Sequence, residues 1–463
     1  MSTVIHWFRH DLRLADNPAL TRAVRAAQAH GHTLLPVYIW DPAQAQPTRW
    51  VPRRMGPHRM AVLADTLTAL DSALQQRGSR LLVLHGAAVS LLPRLVRAVQ
   101  AVQVSAEAIA APEEQDEADA LARTARLEGW RWTPVWQSSL LDPPDLPFAV
   151  ERTPDVFTAF RQQVERADVQ PRAPLPAAAR LPALPPHDAL WEPMAAAQGH
   201  AARLTQDGAH GPPLLCHTPL KRPVPPVLMP EARSAFPYHL PACAPGEAGA
   251  QDHLAQYMSR KLPHSYKHTR NGLIGVDYSS KLSPWLASGA LSAPQIMAAL
   301  RAFEAEHGAN DGSYWLWFEL LWRDHFRLMH LKHGRALYRA RGLTQLSPPP
   351  HDPQAFQRWC EARTGQPLVD AGMRELAASG FLSNRMRQVV ASHLVHDLRC
   401  DWRAGAAWFE SQLVDHDVYS NQGNWLYVAG RGTDPRGGRR FNLDKQAQDH
   451  DPQGHYRRLW GTA

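Results

Sequence analysis

Up to about residue 136 the chain alternates short apolar runs with longer stretches of helical spacing, and no other feature restricts its fold so tightly. "VIHWF" precedes a helix from Asn17, and "LLPVYIW" a long helix from about Pro57 to Gly78. "LLVLHG" precedes a helix from about Val89 to Gln100, and "VQVS" one running through Glu113 to Glu128. Apolar runs of this length separated by helices are the pattern of parallel strands with helical crossovers. The spacing therefore predicts an α/β amino-terminal domain over 1–136, a parallel sheet with helices on both faces. An open sheet of this kind takes ligands at the carboxyl ends of its strands. The first turn, "WFRHDLRLADN", has no GxGxxG, so the usual dinucleotide pyrophosphate site is missing.

The pattern then stops. From Pro171 to Gly246 the chain carries 17 of its 40 prolines with no sustained period, so 137–250 is expected to be a connector, proline-rich from 171. After Gln251 helical spacing returns with many tryptophans, in "DGSYWLWFELLWRDHFRLMHLKHG", "DAGMRELAASGF", "NRMRQVVASHLVHDL" and "WRAGAAWFESQLV". An all-α domain is expected over 251–463. At 463 residues the chain is too long for one ordinary core, and 44% hydrophobic content is enough to fill two.

The formal charge of +7 suits an anionic partner such as nucleic acid, and equally an ordinary solvated surface. Cys216, Cys243, Cys360 and Cys400 make no CxxC or zinc spacing, and the 24 histidines contain no HExxH. Neither a disulfide framework nor a metal site is indicated. No leader pattern opens the chain, and nothing approaches the roughly 18 apolar residues of a membrane span. A soluble, cytoplasmic protein is expected, with no membrane partner.

Four segments carry chemistry. In "SYKHTRNGLIGVDYSSKLSPWLASGALS", residues 265 to 292, Ser279, Ser280, Lys281 and Ser283 stand just before a helix expected near Pro284. Such a group either holds phosphate oxygens with help from the helix dipole or simply caps the helix. In "ELLWRD" Glu319, Trp322 and Arg323 fall at i, i+3 and i+4 on one helical side. A carboxylate, a flat ring and a guanidinium together suit a ligand with a π-face and polar edges, the alternative being a core tryptophan beside a surface ion pair. "SNRMRQVVASHL" places Asn384, Arg387 and Gln388 on one side of a helix. "DHDVYSNQGNW" adds Asp415, Asp417 and Asn421, two carboxylates for basic groups or ligand N–H and a neutral amide that both donates and accepts. Either the four segments meet in one site or they are separate caps and surface clusters.

Together these residues resemble the photolyase and cryptochrome family, and the second domain resembles its DASH branch. "TRNGLIGVDYSSKLSPWL", "YWLWFELLWRD", "TGQPLVDAGMREL", "SNRMRQVVAS", "DHDVYSNQGNWLYVAG" and "FNLDKQAQDHDPQGHYRRLW" follow the family pattern in order, and "HWFRHDLRLADNPAL" agrees at the amino end. The resemblance implies FAD bound folded in the helical domain. Tyr266, Ser279, Ser280, Lys281, Leu282 and Ser283 would hold its phosphates and ribityl chain, completed by Arg323, Asn384 and Arg387. Asp417 would accept from the flavin ring edge and Asp415 would pair with Arg387. Asn421 would face flavin N5 and favour the reduced anionic flavin.

It further implies repair of cyclobutane pyrimidine dimers by an electron from photoexcited reduced FAD, the damaged base being flipped out of the strand. Glu319 would bond the pyrimidine edge, Trp322 would stack on it, and Gln388 and Tyr427 stand where other dimer photolyases carry methionine and tryptophan. The branch implies damaged DNA as partner, single-stranded for preference, and a monomer. An antenna, 5,10-methenyltetrahydrofolate or a flavin, is expected between the domains with Glu114 as its acidic contact, although Glu114 also suits a helix start. Trp425 and Trp402 match the inner two members of the family's electron-transfer chain. No tryptophan lies between Trp322 and Trp359 to be the outer one, so either Tyr338, Trp359 or another aromatic replaces it or photoreduction is slow, and Met386 stands where the pattern has glycine. The rival expectation is a blue-light photoreceptor that repairs nothing. The chain's end at Ala463, without a long tail, favours the enzyme.

Overall fold

The computed structural model describes residues 2–186 and 231–461. Residues 187–230 of the expected connector, Cys216 and the end at Ala463 lie outside the described residues.

Strands β1 Thr3–Phe8, β2 Thr33–Trp40, β3 Leu82–His85, β4 Ala101–Glu107 and β5 Arg131–Val135 form one parallel sheet in the order β3-β2-β1-β4-β5. Alternate residues of β1 enter different cores, Ile5 and Trp7 on one face of the sheet, Val4 and Phe8 on the other. Both faces are therefore covered, which is why these strands read as unbroken apolar runs. β5 is the strand that the apolar runs do not reveal. "RWTPV" is exposed at Arg131 and Pro134 and only half-buried at Trp132 and Thr133, and it pairs with β4 alone, so it tolerates Pro134 as an edge. Helix Pro18–Ala29 starts at Asn17, whose side chain accepts from Leu20 N at 3.0 Å.

Beyond Gly246 the described residues are helical. The longest helix, Asp311–His333, is capped by Asn310, which accepts from Gly312 N (2.9 Å) and Ser313 N (3.0 Å). Around it lie Pro367–Ser379, Asn384–Ser392, Trp402–Gln412 and Val418–Ala429. Met386, fully buried, extends its Cε to 2.7 Å from where a Cβ on Gly372 would lie. A flexible thioether filling the space over a glycine explains how methionine is accommodated there.

Charge-assisted bonds tie the helical part to the sheet. Glu247 accepts from Leu14 N (2.7 Å) and Ala15 N (2.9 Å), and Asp324 from Leu140 N (2.9 Å) and Leu141 N (2.7 Å). Gly289 has φ 72°, and a Cβ on it would sit 1.9 Å from His10 O. Only glycine permits this approach of the two parts. No helix among the described residues is long and apolar enough to cross a membrane.

Candidate functional site

Two adjoining cavities open inside the helical part. The larger, about 1050 Å³, is walled by Tyr266, Arg270, Ser279, Ser280, Lys281, Leu282, Ser283, Glu319, Arg323, Asn384, Arg387 and Asp415 among others. The second, about 640 Å³, shares Asn384, Arg387, Asp415 and Ser420 with it and adds Gln388, Asp417, Asn421, Trp425 and Tyr427. All four informative segments therefore meet at one place. Sequence spacing put each group on a helix side, and the packing of helices around Asp311–His333 brings those sides together.

Charge on the walls is unbalanced. Arg387 Nη2 reaches both oxygens of Asp415 (2.9 and 2.8 Å), and Ser283 Oγ donates to the same carboxylate at 2.6 Å. Glu319 is paired with Arg270. Both acids of the larger cavity are thus neutralised, and Arg323 faces Asp417 across 3.9 Å, which leaves Lys281 as the wall's unpaired basic group. Lys281, at φ 55°, is 3% exposed; its Nζ lies 3.1 Å from the Tyr278 ring centroid and has no hydrogen-bond partner. Burial pushes its pKa well below the ordinary lysine value. An unpartnered buried cation is costly, and a phosphate-bearing ligand in the cavity would lower that cost by its charge.

Asp417 caps helix Val418–Ala429 by accepting from Ser420 N at 2.8 Å. Burial opposes its ionisation, but Arg323, Arg327 and the bonds from Ser420 outweigh burial and hold the carboxyl down at about 2. It is an ionised acceptor at neutral pH. Asn421 Nδ2 donates to Ala406 O at 3.0 Å. A carbonyl oxygen only accepts, so the amide is oriented with Oδ1 left for the cavity. Gln388 Oε1 accepts from Arg385 Nη1 at 3.1 Å, which leaves its NH₂ free of that bond.

Two family profiles match the chain. DNA photolyase covers residues 4–181, and the FAD binding domain of DNA photolyase covers 315–462. The chain is 41% identical to Cryptochrome DASH of Gloeobacter violaceus, spanning 99% of this chain and 85% of that protein. It is 40% identical to Cryptochrome DASH of Xenopus laevis, spanning 99% and 82%. This chain belongs to the photolyase and cryptochrome family, in its DASH branch. Among solved structures, the Synechocystis cryptochrome superposes with a TM-score of 0.87 at 37% identity, over 99% of this chain and 88% of that one. A bacterial class III photolyase from Agrobacterium tumefaciens gives 0.76 at 28%, over 99% and 86%. An FAD-binding domain is thus present, and the cation-rich cavity suits a pyrophosphate-bearing cofactor.

Not every residue singled out from the sequence reaches the cavity. Trp322 does not join Glu319 and Arg323 on its wall. Its ring stacks on Phe157 (centroids 3.8 Å, 12° between planes) and meets Tyr427 edge-on at 6.2 Å, beside a separate apolar pocket. Three residues on one helical side subtend a wide arc, and the neighbouring segment Phe157–Arg166 captured the ring at its edge. Tyr427 lines both this pocket and the second cavity. Trp425 lines the cavity, whereas Trp402 is 1% exposed in the same core and donates from Nε1 to Ala340 O at 3.1 Å. Residues that sequence reasoning passed over include Arg270, Tyr278 and Ser420; Arg270 lies inside the motif "TRNGLIGVDYSSKLSPWL", and its pairing with Glu319 joins two segments that spacing along the chain does not connect.

A third cavity, about 1100 Å³, lies at the carboxyl ends of β1 and β2, against the helical part. Glu114 lines it with Glu113, Glu117, Arg9, His10, Trp40, Arg54, Arg59, Glu410 and His416. Arg54 pairs with Glu113 and with Glu410, the latter 2.7 Å away and 356 positions distant in sequence. His416 lines this groove and the second cavity alike.

Proposed function

We propose that this chain is a cytoplasmic, monomeric, blue-light-driven enzyme that splits cyclobutane pyrimidine dimers in DNA, single strands for preference. What supports this reading most is the meeting of partnerless Lys281, the guanidinium groups of Arg323 and Arg387, the ionised Asp417 and the acceptor oxygen of Asn421 in adjoining cavities, with Gln388 and Tyr427 at their margin. FAD, when bound, supplies the light-driven electron donor.

The chain's own groups do the rest. Arg323, Arg387 and Lys281 would hold the phosphates, with Tyr266, Ser279, Ser280, Leu282, Ser283 and Asn384 along the polar wall. Asp415 fixes Arg387 by two bonds, so the guanidinium is oriented before any ligand arrives. Asp417 would accept from a ring-edge N–H of the flavin, and Asn421 Oδ1 would offer the flavin an acceptor without adding a negative charge beside it. Trp425 walls the second cavity and keeps water from that face. Glu319, paired with Arg270, would be an acceptor for the pyrimidine edge. Trp322 and Tyr427 form an apolar wall for the flipped lesion. A single strand needs no duplex opened, which reduces the cost of flipping. The groove at Glu114 would hold 5,10-methenyltetrahydrofolate or a flavin as antenna.

The test is repair itself, with purified protein, chemically reduced flavin, blue light and an oligonucleotide carrying one thymine dimer, offered as single strand and as duplex. Loss of dimer from the single strand alone is expected. Equal repair of both would overturn the strand preference. No repair of either, with FAD bound and photoactive, would make the chain a photoreceptor.

A further inference from the structure

Lys281 ends where an ammonium group has no acceptor. Its backbone is left-handed, φ 55°, a conformation that a lysine keeps only where its neighbours hold it. Here they do, since Ser280 O accepts from His253 Nε2 (2.8 Å) and Ser283 Oγ donates to Asp415 (2.6 Å). The side chain runs inward, 3% exposed, and Nζ lies 3.1 Å from the Tyr278 ring centroid and 5.2 Å from that of Phe381. It has no hydrogen-bond partner among the described residues. Ring faces offset part of the cost of burying a charge, and the amine avoids the rest by giving up its proton. Methionine would fill the same space without a polar atom, so packing does not account for the nitrogen.

The groups around Nζ supply no fixed counter-charge. Arg387, 5.4 Å from the Phe381 ring centroid, is already bound to Asp415. Burial pushes the Cys243 thiol, in the turn Pro241–Cys243, up to about 11. It pushes the Tyr278 phenol up as well, and that of Tyr456 in helix His455–Leu459. All three stay uncharged at neutral pH. Glu375, in helix Pro367–Ser379, is 1% exposed and accepts from Tyr456 Oη. Burial raises its carboxyl to about 7 against the Tyr456 bond and Lys281, so it is only partly ionised. For Lys281 itself, burial outweighs Glu375 and Cys243.

Lys281 also belongs to the wall of the larger cavity, beside Ser279, Ser280 and Ser283. Negative charge placed against a low-dielectric wall favours the protonated form of every basic group near it. We propose that Lys281 is a proton site linked to the cofactor, an uncharged amine until a diphosphate binds and an ammonium group afterwards, the proton coming from solvent. The proposal rests on the FAD reading only for the identity of the diphosphate. Only an N–H bond forms, and the bound dianion meets a cation that the free chain does not have to bury. Linkage is reciprocal, so affinity rises as pH falls through the interval in which the free amine is uncharged and the bound one is charged.

The test is calorimetric titration of the full chain, freed of flavin, with FAD in HEPES and in Tris, whose ionisation heats differ. Uptake of about one proton per FAD is expected, with affinity rising up to about tenfold per unit fall in pH. ADP-ribose, a diphosphate diester without a flavin, should reproduce the uptake, and riboflavin, without phosphate, should not. Lys281→Met, which keeps the packing on Tyr278, should abolish it, whereas Lys445→Met at the surface should not. Uptake unchanged in Lys281→Met, or equal with riboflavin, would overturn the proposal. Carbon NMR of lysine-labelled chain supplies a second readout. The Lys281 Cε resonance, identified by its absence from Lys281→Met, should have the uncharged-amine shift at neutral pH and move to the ammonium shift with ADP-ribose. An ordinary lysine titration without ligand would overturn the proposal by itself. A response to ADP-ribose in a chain that binds no FAD would leave the proton site standing and count against the flavin reading.

Discussion

Gly405 sits in helix Trp402–Gln412 with no room for a side chain. A Cβ there would lie 2.2 Å from Trp425 Cη2, 2.5 Å from its Cζ3 and 2.6 Å from Leu394 Cδ2. Trp425 is 2% exposed and is flanked by Phe409 (5.1 Å) and Trp359 (6.5 Å), so its ring has no way back into the core. The side left to it is the cavity that it lines. In Gly405→Ala the overpacking costs about 1–3 kcal/mol. Removing a glycine from a helix interior returns about 1 kcal/mol. The expected balance is a net loss of up to about 2 kcal/mol in urea unfolding, with FAD binding weakened about tenfold as the indole is pushed into the cavity. Near-ultraviolet circular dichroism should change with it. A variant stabilised by about 1 kcal/mol with unchanged FAD affinity would refute the packing of Trp425 on Gly405, since helix propensity alone would then account for the result.

Arg387→Met would leave Asp415, whose side chain is 1% exposed, with the Ser283 hydroxyl alone. A loss of about 3–5 kcal/mol is expected in urea unfolding, largely recovered by Asp415→Asn in the same chain; a loss below about 1 kcal/mol would contradict the pairing. Asp417 is held at about 2, down from 3.8, so its contribution of roughly 2 kcal/mol is present above pH 4 and lost as the pH falls toward 2. Wild type and Asp417→Asn should therefore converge in stability on acidification, and a constant gap between them would show that the carboxylate's charge is not responsible. Asn421→Asp places a second negative charge where Oδ1 now accepts. Unchanged absorption spectra under illumination would remove Asn421 from the ring's neighbourhood.

Much of the architecture was legible from local pattern. Buried strands read as apolar runs because both sheet faces are covered, and helices read from their periodicity; β5 escaped because an exposed edge strand needs neither signal. Segments of the candidate site were legible too, but through the ordered family motifs, since "YSSKLS" by itself equally suits a helix cap and "ELLWRD" a core tryptophan beside an ion pair. Their individual duties were not. Asp417 is both a helix cap and a cavity carboxylate, and Trp322, expected beside Glu319, turned to Phe157.

The sequence by itself determined which residues can form strands and helices, which side of each helix is polar, and which family the chain resembles. These depend on spacing along the chain and on backbone preference, both of which are local. The Arg387–Asp415 pair was already implied by the resemblance, whereas only the tertiary structure decided that Ala406 O turns the Asn421 amide and that Arg54 finds Glu410. Each of these depends on where a donor or acceptor from another turn or element lies within a few ångströms. Periodicity gives the direction in which a side chain leaves its helix, and packing supplies the neighbour it meets.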